Sequence, residues 1–89
     1  MYTQTVEVIN PSGLHSRPAS SFVRLAASFQ SKIKIRKIGE DLSVNAKAIV
    51  MLLTLECGPG DTVEISAEGD DEKIAVDGLV ALVQTGFGE

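Results

Sequence analysis

The sequence predicts an α+β domain (α/β in content) in which four strands form a mainly antiparallel sheet and three helices cover one side of it. The element order is strand, helix, strand, strand, helix, strand, helix. Three observations carry this reading. Four segments alternate apolar and polar residues with period two, so each has one covered and one solvated face. Three further segments carry apolar residues at helical spacing or follow a helix-start signal. Turn-forming clusters punctuate the chain at NPSG (10–13), GED (39–41) and GPGD (58–61). One-sided alternation on every strand is what a sheet with helices on a single face requires.

The first strand is read over 3–9, TQTVEVI, with Val6 and Gln4 facing one way and Thr5, Glu7 and Ile9 the other. A helix is predicted to begin around Ser16 to Pro18. Proline is tolerated in a first helical turn because the amide it lacks would be unpaired there. Phe22, Leu25, Ala26 and Phe29 then recur on one helix face. KIKIRKI (32–38) sets Ile33 and Ile35 against Lys32, Lys34 and Arg36, and LSVN (42–45) returns as the second strand of a hairpin. Asn45 is positioned to cap a second helix over AKAIVMLLTLE (46–56). That helix has almost no polar face: Ile49, Val50, Met51, Leu52, Leu53 and Leu55 surround it. Either it is buried all round or part of it is an exposed contact patch, and because a chain this short wraps such a helix with difficulty, the exposed patch is the expectation. TVEISAEG (62–69) alternates Val63, Ile65 and Ala67 against Thr62, Glu64, Ser66 and Glu68. The last helix is expected within 70–87, with an apolar stripe of Ile74, Ala75, Leu79, Leu82 and Val83. Gly78, costly in a helix interior by about 1 kcal/mol relative to Ala, suggests a close packing contact.

With 89 residues the chain is expected to form one domain over 1–89. Its 44% apolar content excludes a disordered tail. The net charge of −4 is unevenly laid out. Residues 1–55 carry seven basic and three acidic side chains, and residues 56–89 carry one basic and nine acidic. Overall acidity speaks against a general nucleic-acid binder. The lysine-rich KIKIRK strand also lacks the exposed aromatics of an RNA platform. Cys57 is alone, so it is read as a free, partly buried thiol in a reducing compartment. With no apolar leader and no apolar run of spanning length, the expected location is cytoplasmic, without membrane insertion.

The chemistry centres on NPSGLHSRPASS (10–21), which holds the only histidine, His15. One histidine and one isolated cysteine cannot build a zinc site. A Ser–His hydrolase would need an orienting carboxylate, an oxyanion hole and a pocket. Two readings remain: His15 is itself the nucleophile, or it is an exposed loop residue with Arg17 a solvated surface charge. A phosphoryl group arriving there would meet first-turn amides that lack intrahelical acceptors, in a dipole that favours anions. Arg17 would add a guanidinium suited to phosphate oxygens. Pro18 fixes the backbone just beyond. Ser12 could lend a hydroxyl, or Ser12 and Ser16 could only shape the turn. Arg24, two turns along, reads as a partner contact.

GLHSRPAS, followed by VNAKAIVMLLTL and VEISAEGDDE, resembles HPr, the histidine-containing phosphocarrier family of the bacterial sugar phosphotransferase system, over nearly the whole chain. The resemblance implies an open-faced β-sandwich of order βαββαβα. It implies that His15 receives a phosphoryl group on Nδ1 from Enzyme I, which is charged from phosphoenolpyruvate and uses magnesium. His15 then passes the group to a IIA domain of a sugar permease, with Arg17 as electrostatic partner. The chain would be a carrier without independent turnover, needing no cofactor and acting as a monomer. Ile49, Val50 and Leu53 fall where the family docks its partners. Two positions depart from the pattern. Ala48 stands where many members carry a regulatory serine, so no switch is expected there. Met51 stands where the family often has glycine. An HPr-like paralogue in a nitrogen-related or dihydroxyacetone-kinase relay is the alternative reading.

Overall fold

The computed structural model describes all residues, 1–89. The strands are β1 (Tyr2–Glu7), β2 (Lys32–Lys37), β3 (Ser43–Asn45) and β4 (Thr62–Glu68). The helices are α1 (Ser16–Ala27), α2 (Ile49–Leu53) and α3 (Glu72–Gln84), followed by a 3-10 turn over Gly86–Gly88. The sheet runs β1-β4-β2-β3, and every neighbouring pair is antiparallel. The fold is therefore the open-faced β-sandwich of order βαββαβα.

Register explains which strand faces are covered. Gln4 pairs with Ile65, Val6 with Val63, Ile33 with Ala67 and Ile35 with both Ile65 and Val44. These rows stack Val6, Ile33, Ile35, Val44, Val63, Ile65 and Ala67 on one side, all buried. The other side carries Thr5, Glu64, Arg36 and Ser43 in one continuous row. Arg36 Nε meets Glu64 Oε1 there at 3.3 Å, as opposite charges on paired strands favour. Phe22 and Ala26 of α1, and Ala75, Val76, Leu79, Val80 and Val83 of α3, complete a single core. Tyr2 OH donates to Asp77 Oδ1 at 2.9 Å and ties β1 to α3. No helix is long and apolar enough to cross a membrane.

Four sequence expectations need correction. Asn45 does not cap α2: it ends β3, and its Oδ1 accepts the Lys47 N–H at 2.9 Å in an Asx turn. This local bond competes with helix formation. The helix covers 49–53 rather than 46–56, with Ala48 in extended conformation as its N-cap. Its exit is marked by Glu56 in the left-handed region at φ 52. In α3 the buried stripe includes Val76 and Val80, while Ile74 is exposed and Leu82 half-buried. At about 100° per residue, Ile74 lies nearly opposite the centre of the stripe that 76, 79 and 83 define. Gly78 meets no close approach either: a Cβ there would lie 3.5 Å from Phe29 Cζ, an ordinary contact.

Candidate phosphoryl-acceptor site

The site is a turn packed on another loop. β1 leaves the sheet at Glu7, and Val8 continues by donating to Asp61 O and accepting from Gly60 N, both at 2.8 Å. The chain then reverses at Asn10–Gly13, where Gly13 N–H donates to Asn10 O at 3.1 Å. Gly13 has φ +63, and a Cβ added to it would sit 2.8 Å from Gly58 Cα and nearer still to Cys57 O. Glycine is required here by conformation and by space together. Leu14 N–H donates to Cys57 O at 3.0 Å, and the Leu14 side chain is buried.

His15 follows directly and is the N-cap of α1, with extended backbone (φ −130, ψ 163) and no side-chain cap bond. Its ring is half-buried. Ser16 then takes φ +53, a left-handed conformation that costs a non-glycine residue about 1 kcal/mol and that clusters at functional sites. Ala19 N–H reaches His15 O at 3.4 Å, Pro18 has no N–H, and the Ser16 and Arg17 amides have no backbone acceptor. No acidic residue occupies the first turn. Arg17 is exposed and enters none of the ion pairs in the molecule. His15 is therefore followed in the chain by two amides without backbone acceptors and by an uncommitted guanidinium, a combination suited to an anion.

Sequence reasoning singled out His15, Arg17, Ser12, Ser16 and Pro18, and all lie on this turn and first helical turn. It missed Asn10 and Glu89. The Asn10 side chain is buried, with Nδ2 donating to Gly13 O at 2.9 Å and to Glu89 Oε1 at 3.0 Å. The same Glu89 oxygen accepts the Ser12 N–H at 3.0 Å. Asn10 was legible only as a turn former. Glu89 had no local signal, because it reaches Ser12 across 77 residues of sequence. Bonds from the Asn10 amide, then the Ser12 N–H and hydroxyl, hold the Glu89 carboxyl below the usual carboxylate range. Ser12 is thus engaged with Glu89, and Ser16 contributes the left-handed backbone at the start of α1.

The loop beneath is braced in turn. Asp61 Oδ2 accepts the Gly58 N–H at 2.9 Å, which with Lys37 holds its carboxyl low. Lys37 Nζ donates to Glu56 O at 3.2 Å and lies 3.6 Å from Asp61 Oδ2. Cys57 is buried, and burial pushes its thiol up to about 11, so it stays protonated at neutral pH. Its carbonyl, not its sulfur, serves the site. No group of three or more His, Cys, Asp or Glu is arranged to hold a metal ion.

The second region that the sequence marked is α2, which packs against α1. Val50 is 70% exposed and Leu52 1%. Met51 and Leu53 are exposed with Val50, while Ile49 is half-buried against the core. Arg24 is exposed in the last turn of α1. Ala48, at the N-cap of α2, offers no hydroxyl.

A one-sided sandwich that presents a lone imidazole at the mouth of a helix, without an enclosing pocket, belongs to the class of small phosphoryl carriers. The profile for the PTS HPr component phosphorylation site matches residues 2–85. The chain is 45% identical over 85 residues to phosphocarrier protein HPr of Haemophilus influenzae, covering 96% of this chain and 98% of that protein. It is 37% identical over 89 residues to that of Cupriavidus necator, covering 100% and 98%. Among solved structures, HPr-C-His from Thermoanaerobacter tengcongensis superposes with a TM-score of 0.94 at 44% identity, covering 100% and 98%. The chain belongs to the HPr family of the phosphotransferase system. Its function is that of a phosphocarrier between Enzyme I and IIA domains, without independent enzymatic turnover.

Proposed function

We propose that His15 is the residue on which this carrier holds the phosphoryl group. The observation that carries the reading is the half-buried imidazole at the α1 N-cap, beside the unpartnered Ser16 and Arg17 amides. In the incoming step, Nδ1 offers its lone pair to phosphorus on Enzyme I. A P–N bond forms, the bond from phosphorus to the donor atom breaks, and its electron pair returns to the donor. The outgoing step to a IIA domain is the reverse, with a new acceptor. Charge reaching the site is met by the two amides and by Arg17, whose guanidinium is free to follow the phosphoryl oxygens. Pro18 holds the first turn in place. Ser12 and Ser16 shape the turn and take no part in the chemistry.

Partners dock on the exposed face of α2, through Val50 and Leu53 with Ile49 at the margin and Arg24 across from α1. Apolar area that a small domain leaves uncovered suits contact with successive partners. Residues 1–89 act as one unit, in the cytoplasm, as a monomer without membrane insertion. Ala48 removes the serine switch, so HPr kinase with ATP should leave the intact mass unchanged.

The test of the acceptor is labelling with phosphoenolpyruvate, magnesium and Enzyme I. Wild type should gain one phosphate that is lost in acid and kept in alkali, and His15→Ala should gain none. Labelling of His15→Ala at the wild-type level would refute the assignment. Arg17→Ala should slow transfer about tenfold or more with the fold intact.

A further inference from the structure

The turn that presents His15 is anchored from three sides. Asn10 closes it from within, the Cys57 carbonyl holds it from below, and Glu89 grips it from outside. The third anchor is built by the end of the fold. Gly86 is buried at φ 70, with Ile9 and Asn10 as its near neighbours. Phe87 turns back at φ 57, packs against the core, and donates its N–H to Thr85 Oγ1 at 3.3 Å. Glu89 N–H returns to Gly86 O at 3.0 Å. Residues 85–89 thus form a closed curl that aims one carboxylate at residues 10–12.

That carboxylate meets two donors, the exposed Ser12 N–H and the buried Asn10 Nδ2, and the second has few other options. The Asn10 side chain is 2% exposed, and one of its Nδ2 hydrogens is committed to Gly13 O. Its Oδ1 has no partner at all, so the side chain is already short of one bond. Removing Glu89 would strip acceptors from the second Nδ2 hydrogen and from Ser12 N–H, leaving a buried amide with a single bond. The cheapest relief is movement of the turn itself, which is coupled through Gly13 and Leu14 to the backbone of His15.

We propose that Glu89 is a positioning residue for phosphoryl transfer: it fixes the 10–13 turn and thereby the direction of the His15 imidazole. The inference rests on His15 being the acceptor. Glu89 does not touch the ring or the phosphoryl group. Transfer rates depend steeply on the alignment of nucleophile and phosphorus, so a loosened turn lowers the rate of the bound complex. Docking is left intact, because the hydrogen bonds of the Glu89 side chain go to Asn10 and Ser12 and none reaches α2.

The experiment compares wild type, Glu89→Ala and Glu89→Gln as acceptors from phosphorylated Enzyme I, over a range of carrier concentrations and well below their melting temperatures. Glu89→Ala should lower kcat about five- to tenfold with KM within twofold. Its backbone amide shift changes should be confined to residues 9–17 and 85–89. Glu89→Gln, whose amide oxygen can accept both N–H groups, should recover kcat to within twofold. The proposal is overturned if Glu89→Ala keeps wild-type kcat, or if Gln is as impaired as Ala. It is equally overturned if the loss matches the unfolded fraction measured in thermal melts. His15→Ala run alongside separates the two readings: labelling of that variant refutes the acceptor itself, whereas its silence beside a fully active Glu89→Ala refutes only the role of Glu89.

Discussion

The turn before α1 and the turn before α2 solve the same local problem in opposite ways. Each delivers the chain into a helix through an extended N-cap residue without a side-chain cap, His15 in one and Ala48 in the other. The first turn is fastened by Asn10, Cys57 O and Glu89, and it admits only glycine at 13. The second is held by the Asn45–Lys47 Asx bond, by Ala48 N–H to Asn45 O, by Ala46 N–H to Ile33 O and by Lys47 Nζ to Phe29 O, and it leads into five residues of which only Leu52 is buried. The difference follows the task. The chemistry proposed at the imidazole needs a fixed direction, and its turn is locked by a buried Asn10 side chain and by a Gly13 that no other residue can replace. The docking proposed for α2 needs accessible apolar area, which the exposed Val50 and the flexible, exposed Met51 side chain provide.

The contrast can be broken most severely from within the second region. Leu52→Ala should destabilise the protein by about 3 kcal/mol, because it opens a cavity in the core, whereas Val50→Ala should cost under about 0.5 kcal/mol. Urea unfolding of the two variants makes the comparison, and equal losses would mean that the exposed face of α2 is packed. In the first region, Gly13→Ala should cost about 2 kcal/mol, through its left-handed backbone and the collision with residues 57–58. Its phosphoryl transfer should fall further than its folded fraction does.

Acid should act on the first region before the second. The carboxyls of Glu89 and Asp61 are held below their ordinary range by hydrogen bonds they accept, and those of Asp71 and Glu72 likewise. For a lowered folded value, the unfolded chain binds more protons in acid. Their contribution is therefore complete above the unfolded value near pH 4, about one unit either side, and is lost as pH falls through the lower folded values. Hydrogen exchange between pH 5 and 3, corrected for intrinsic rates, should lose protection at 12–14 ahead of 52–55. The smallest effect expected is at the cap of α2. Ala48→Ser should stabilise by about 0.5–1 kcal/mol if its hydroxyl bonds a first-turn amide, visible as a small rise in Tm. The same substitution should create a site for HPr kinase that Ala48 lacks.

Gly78 shows how a sequence signal can be overread. A glycine inside α3 suggested a close contact, yet the space beside it would accept a methyl group. The length of α2 failed for a different reason. Its apolar run reads as one long helix, but Asn45 bonds Lys47 locally and β3 holds the chain extended through 45. Strand alternation was reliable because period two is enforced by the pleat and one face is solvated everywhere. The stripe of α3 was partly misphased because Ile74, Ala75 and Val76 are all apolar, and only packing on the sheet selects among them.

By itself the sequence determined the sheet, its covered face, the start of α1 and the lone imidazole at that start. These rest on local periodicity, turn chemistry and the placement of a proline, all of which act over a few residues. Only the tertiary structure decided how the turn that carries that imidazole is anchored. The Gly13 contact with residues 57–58, the buried Asn10 side chain and the reach of Glu89 to Ser12 are long-range bonds. No local pattern encodes them, because their partners become neighbours only once the chain has closed around its core.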